Sequence, residues 1–269
     1  MSGIDREKQL GIYRVEKDSP LYPPLLREIF DPPAFLYCRG RLPDPEKAAV
    51  ALVGTRHPSA AASMQAIALG REFARAGITV ISGLALGIDS LAHRGCLEGR
   101  GCTAAVLGSS VDEIYPAVNR DLARRILKTG GSLLSEYELG TTPRKWYFPQ
   151  RNRIISGMAR ATVIIEAPAA SGALHTGRFA LEQGRDLYVA SSGISSPLGA
   201  GSRRLADEGC PVISHAADVF ADWGLDPAEL PDWEEESRRN GGSLCRDVSD
   251  NPGKSGALLA ASLKRELDL

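Results

Sequence analysis

The chain has 269 residues, 43% of them hydrophobic, and a formal net charge of −1. That much apolar material can bury a full core, which favours one large domain with a minor appendage over two equal ones. The charge balance excludes a nucleic-acid binder that works by bulk charge and leaves room for a local basic groove.

The near-neutral sum is uneven along the chain. Residues 221–269 hold eleven acidic and six basic side chains, so they carry −5 and residues 1–220 carry +4. The opening "MSGIDREKQLG" is polar and mixed in charge, unlike a signal peptide, and no run reaches the roughly 20 apolar residues that cross a bilayer. Five cysteines, Cys38, Cys96, Cys102, Cys210 and Cys245, show neither a C-x-x-C pair nor Cys/His zinc spacing. They read as reduced thiols of a cytoplasmic protein, with no metal and no cofactor expected.

In chain order, residues 1–45 are a proline-rich lead-in, in which "YPPLLREIFDPP" and "AFLYCRG" predict a short helix and an extended segment packed on the core. Short apolar runs then alternate with helix-length stretches. The predicted strands are 49–54, 78–83, 102–108, 131–136, 161–167 and 186–191, and the predicted helices 59–76, 87–98, 119–128 and 172–183. Unbroken apolar strands separated by helices predict an α/β fold, a doubly wound, mostly parallel sheet covered on both faces, over residues 46–220. Residues 221–269 read as an acidic linker with a short helical or disordered tail.

Ligands of such sheets bind at the carboxyl ends of the strands, so the polar strand endings mark the site. "VGTRHPS" ends the first of these strands: Gly54 permits close approach, Thr55 and Ser59 offer hydroxyls, and Arg56 offers a fork for phosphate. The same residues also suit an ordinary turn with Ser59 as a helix N-cap. "SGLALGIDSLAH" places Asp89 and His93 four apart on a helix, either as an acid/base dyad or, the favoured reading, as a structural pair. The loop "LGSSVDEIYPAVN" after the third strand, which starts at Leu107 and Gly108, lacks the dinucleotide-binding glycine pattern, so classical NAD binding is disfavoured.

From Leu139 to Ile165 there is no acidic residue, while Arg144, Lys145, Arg151, Arg153 and Arg160 all fall there beside Trp146, Tyr147 and Phe148. Arginines for phosphate and rings for bases are what single-stranded nucleic acid needs, although aromatics in a loop also serve as core plugs. Glu166 ends the fifth strand as a general base, a base-edge acceptor or, the favoured reading, a partner that holds Arg151 or Arg153. The turn at Ser171 and Gly172, with Thr176 following, again invites a phosphate or base edge.

In order and spacing, "VGTRHPS", "ISGLALGIDSLAH", "VLGSSVDEIYPAVN", "LLSEYELGTTP", "FPQRNRIISGMA" and "VIIEAPAASGALHT" resemble the DNA-processing protein A family, also called DprA or Smf. The likeness spans about Tyr22 to Ile213. It implies an extended Rossmann-like fold that binds single-stranded DNA without cleaving it, forms a homodimer, and protects incoming DNA and helps load the RecA recombinase in natural transformation. Carried over by position, Gly54, Thr55 and Arg56 look like the phosphate-binding motif, with Ser82, Gly83, Arg151, Asn152, Arg153, Ser171 and Gly172 lining the same pocket. With Ser59, Gly108, Glu166 and Thr176 these form the expected DNA- and phosphate-binding set. The alternative is a Rossmann-like nucleotide-processing enzyme of the phosphoribohydrolase type, although "APAASGALHTGRFALEQ" lacks that group's double glycine.

Overall fold

A computed structural model describes residues 10–225 and places them in one nine-stranded sheet with helices on both faces. Its strands are β1 (Ile12–Glu16), β2 (Phe35–Gly40), β3 (Ala49–Val53), β4 (Thr79–Ser82), β5 (Thr103–Val106), β6 (Ser132–Ser135), β7 (Ala161–Ile164), β8 (Asp186–Ala190) and β9 (Val212–Ile213). The spatial order is β1-β2-β6-β5-β4-β3-β7-β8-β9. β2 pairs antiparallel with both β1 and β6, and the other pairings are parallel. The fold class read from the sequence is therefore the one observed.

The helices are α1 (Pro24–Arg27), α2 (Ala60–Arg75), α3 (Ile88–Glu98), α4 (Arg120–Lys128), α5 (Tyr147–Gly157), α6 (Gly172–Glu182), α7 (Ser191–Ser195), α8 (Ala200–Asp207) and α9 (Ala216–Asp222). Strand alternation sorts them onto the two faces. Val50 and Leu52 of β3 pack with α2, α3 and α9, whereas Ala49, Ala51 and Val53 pack with α1, α5 and α6. A third apolar cluster joins α4, through Leu122, Ala123 and Ile126, to β2, β5 and β6. Every β3 residue is buried, which is why the strand reads as a continuous apolar run.

The lead-in does more than cover the core. β1 and β2 extend the sheet beyond β6, with Tyr37 opposite Ser135. Its Leu26 and Ile29 pack so closely on α5 that a Cβ at Gly157 would meet them at 2.9 and 3.0 Å. At the other end the core runs on through buried Trp223, whose indole donates to Asp186 at 2.9 Å while Arg160 lies 4.3 Å from its ring centre. The expected tail helix, "SGALLAASLKRELDL", lies outside the described residues, as does Cys245.

The sequence reading left β1, β9, α7, α8 and α9 unmarked, and one stretch takes a form other than the one expected. The aromatic-arginine stretch assigned to a loop is α5 from Tyr147 onward. Arg151, Ile154 and Ile155 within it and Met158 at its C-cap are buried, an i, i+3, i+4, i+7 stripe. A charged residue heads that stripe, so the helical period is masked. Trp146 also makes no side-chain cap, and Pro149 is tolerated because first-turn N–H groups have no helical acceptor.

Strands β3 to β6 are laid down one beside the next towards one edge, and the chain then crosses back to place β7 on the other flank of β3. The switch point lies between the carboxyl ends of β3 and β7.

Candidate functional site

The turn after β3 is held by backbone hydrogen bonds on both sides. Thr55 N–H donates to Glu166 O at 2.7 Å, and Thr55 O accepts from Ile88 N–H at 3.1 Å. Gly54 is bare because a Cβ would lie 2.6 Å from Ile88. With its backbone fixed on both sides, this turn projects Arg56 into solvent, 5.5 Å from the centre of the Phe148 ring. Phe148 in turn meets Tyr115 at 5.7 Å with the rings tilted by 47°. Gly108 makes room for Phe148, since a Cβ there would stand 2.8 Å from the ring.

Arg56, Gly83, Ala85, Leu86, Tyr115, Pro116 and Phe148 line one groove at the carboxyl edge of β3, β4 and β5. Beside it, along the start of α5, Arg144 lies 5.7 Å from the Trp146 ring and 5.8 Å from the Tyr147 ring, and Tyr147 stacks on Tyr137 at 4.0 Å. Arg144 and Lys145 are exposed, and Trp146 is 58% exposed. The rings are a rim of usable faces, and Phe148 alone of the three α5-end aromatics enters the groove wall.

Beneath the groove floor lies a second arginine of opposite character. Arg151 is 3% exposed and donates to Gly83 O at 2.8 Å and to Val106 O. Asp89 accepts from Gly83 N–H at 3.1 Å, so the Gly83 peptide is gripped from both sides. A Cβ at Gly83 would meet both Arg151 and Asp89 at 2.6 Å. Burial pushes the Asp89 carboxyl up, opposed by Arg151 and by the Ala85 and Gly83 N–H groups. Burial lowers the Arg151 guanidinium to about 10, opposed by Asp89, which leaves it charged at neutral pH. The next residue, Leu84, sits at φ 56°, a left-handed conformation costly for a non-glycine residue, and its side chain is anchored in the core.

The other expected site residues lie outside the lining of this groove. Arg153 spends its donors on Glu136, at 2.7 Å to each carboxylate oxygen, and on Asp31, tying α5 to the segment after β6 and to the lead-in. Asn152 donates to Gly172 O at 3.3 Å and so joins α5 to the start of α6. Ser82 is buried and donates to Leu52 O at 2.6 Å. Ser59 and Ser171 are the N-caps of α2 and α6, accepting from Ala62 N–H and Ala173 N–H. Gly172 is exposed, and Thr176 is buried in α6.

Two favoured pairings are corrected. Glu166 holds neither Arg151 nor Arg153; its buried carboxylate accepts from Ser59 N–H at 2.7 Å, at the N-terminus of α2. Its partner is thus the N–H of Ser59, in the turn that the sequence marked for a phosphate. Asp89 and His93 do not bond each other either. His93 Nδ1 lies 2.7 Å from Thr103 Oγ1, whose own hydrogen goes to Val80 O, so Nδ1 is the donor. Burial and the Arg151 charge lower this imidazole to about 3.

Ala85, Leu86, Tyr115 and Pro116 were absent from the expected set. They are apolar or aromatic, only the Tyr115 hydroxyl among them can meet a phosphate oxygen, and they come to the groove only through the β4 and β5 turns. Tyr115 and Pro116 stand in a stretch already singled out, but nothing in their spacing fixes which way that loop folds.

The structure thus defines a doubly wound α/β protein whose open groove sits at the strand carboxyl ends, lined by an arginine and two rings. The chain belongs to the DNA recombination-mediator protein A family, whose profile matches residues 14–224. Protein Smf of Synechocystis sp. is 41% identical over 83% of this chain and 57% of its own length, so the chain spans little more than half of that relative. Among solved structures, DNA processing protein A of Streptococcus pneumoniae superposes with a TM-score of 0.74 at 33% identity, covering 82% of this chain and 78% of that one. DNA processing protein A of Helicobacter pylori, described for its single-stranded DNA binding mode, superposes with a TM-score of 0.69 at 29% identity over 78% and 94%. Among the described residues no helix is long and apolar enough to cross a membrane.

Proposed function

We propose that this chain binds single-stranded DNA in the Arg56 groove and acts as a recombination mediator. In this reading it protects incoming strands and helps load the RecA recombinase during natural transformation, as a cytoplasmic homodimer without a catalytic step. The observation that carries the DNA reading is the Arg56–Phe148–Tyr115 wall: one exposed cation and two rings beside a floor of Gly83, Ala85 and Leu86. A phosphate pairs with Arg56 and a base stacks on a ring, while the floor residues lack side-chain hydrogen-bonding groups for reading a base edge, so binding tolerates any sequence. A duplex hides its base faces and gains less. Family membership and the strand-binding relative support the same reading.

Direct phosphate contact falls to Arg56, with Arg144 and Lys145 at the rim, while Arg151 and Arg153 shape the groove from behind. Three such contacts predict a log–log salt slope of about −2 for a single strand. The test is fluorescence anisotropy of a labelled single strand and the matching duplex at several salt concentrations. Arg56→Ala is expected to weaken single-strand binding about tenfold, roughly 1.4 kcal/mol, at an unchanged thermal midpoint. Equal affinity for duplex, or a loss of stability matching the loss of binding, would overturn the reading. RecA loading is tested separately, by the nucleation rate of RecA filaments on single strands with and without this protein.

A further inference from the structure

We propose that α4 extends the DNA site, its basic stripe of Arg120, Arg124 and Lys128 taking the phosphates of a strand where it leaves the groove at Tyr115. This rests on the groove reading above. The three cations are spaced i, i+4, i+8, so they share one face of the helix, along a line of about 12 Å. The opposite face is committed to the core through Leu122, Ala123 and Ile126. All three are exposed, as is Arg125 beside them.

A row of charges on an amphipathic helix is ordinarily a solvated face, and two further observations set this one apart. The first is its sign: four of the five charged residues of α4 are basic, and the acidic one, Asp121, is paired with Arg124 at 2.7 Å. That pair is exposed on both sides, so it is worth little and a phosphate can take the place of the carboxylate. The second is continuity with the groove. Asn119, immediately before α4, donates to Leu84 O at 2.8 Å and to Ala85 O at 3.2 Å, fastening the helix start to the turn that forms the groove floor. Tyr115, 47% exposed, and Val118, 73% exposed, lie in the segment between groove and stripe, where they offer an apolar surface to a passing base.

The experiment compares labelled oligothymidines of about six and about twenty-four nucleotides, the first matched to the groove alone, on the intact chain. The triple variant R120Q/R124Q/K128Q keeps helix propensity, and its thermal midpoint confirms the fold. It is expected to bind the short strand as the parent does and the long strand at least tenfold more weakly, its salt slope shallower by about 2. R120K/R124K, which keeps the charge, restores the long-strand slope. Unchanged long-strand affinity in the triple variant overturns the extension, and so does an equal loss for both lengths. Arg56→Ala read on the same two strands separates the cases: if it leaves short-strand binding intact the groove reading fails, whatever the stripe does.

Discussion

The carboxyl edge of the sheet has two halves that meet at β3, and each brings a charged residue to a turn. On the β4–β5 side the buried Asp89 and Arg151 grip the Gly83 peptide, and Arg56 stands free above them against Phe148. On the β7 side Glu166 points its carboxylate at the N-terminus of α2, where it accepts from Ser59 N–H. The two halves share topology and differ in who neutralises the backbone dipoles. Where the protein has supplied its own counter-charge, little attraction for a phosphate remains; where the counter-charge is buried below the floor, an exposed cation is left for the ligand.

The largest effect should come from the buried member of the arginine pair. Arg151→Ala strips the donors from Gly83 O and Val106 O and leaves Asp89 buried without its cation, so about 3–5 kcal/mol of stability is expected to be lost. Arg56→Ala should change stability by less than about 0.5 kcal/mol, as exposed positions do. Urea unfolding of both variants checks this. If Arg151→Ala proved as stable as the parent and only failed to bind DNA, the two arginines would be alike and the comparison would break.

Those two arginines also show how far the sequence reaches. Arg56 follows a buried strand, and a strand-end arginine in a β-to-α turn has nowhere to go but the carboxyl edge; its exposure was legible. Arg151 and Arg153 are two residues apart in an acid-free stretch, and nothing local says that one lies beneath the groove and the other faces Asp31 and Glu136. That follows from α5, about 100° per residue, whose period was hidden by a buried arginine. Six strands and four helices could be read because apolar runs are local. The partners of Glu166 and His93 could not, because Ser59 and Thr103 reach them only through the sheet order.

A smaller effect separates the halves by pH. His93, packed behind β4 and β5, has its folded pKa lowered from 6.5 to about 3, so the folded state resists its protonation. A depressed histidine contributes stability that is present above its unfolded pKa and is lost as pH falls towards the folded one. Between pH 7 and pH 5 this group alone should cost about 2 kcal/mol. Asp89 acts with the opposite sign, since its raised pKa favours the folded state as acid is added, so the measurement is a difference. Thermal midpoints of the parent and His93→Gln at both pH values should show the parent losing several degrees more than the variant, whose starting midpoint is lower. Equal acid loss in the two proteins would mean that His93 takes up its proton without unfolding the β4–β5 side.

The smallest effect tests the β7 half itself. Glu166→Gln keeps an oxygen to accept from Ser59 N–H, so the cap survives while the negative charge goes. If Glu166 merely occupies the anion position, its charge repels any phosphate nearby. The variant should then bind single strands about two- to fourfold more tightly at low salt, a gain that fades as salt screens it. The rival reading expects otherwise. One Glu166 oxygen is buried without a hydrogen-bond partner, and a nucleotide-cleaving enzyme would use this carboxylate as its general base. In that case the parent would release free base from nucleoside monophosphates, and Glu166→Gln would abolish the release. Tighter DNA binding with no base release in either protein leaves the carboxylate as an internal counter-charge. Weaker DNA binding at full stability would instead put Glu166 in contact with the strand, and the two halves of the edge would then be one site.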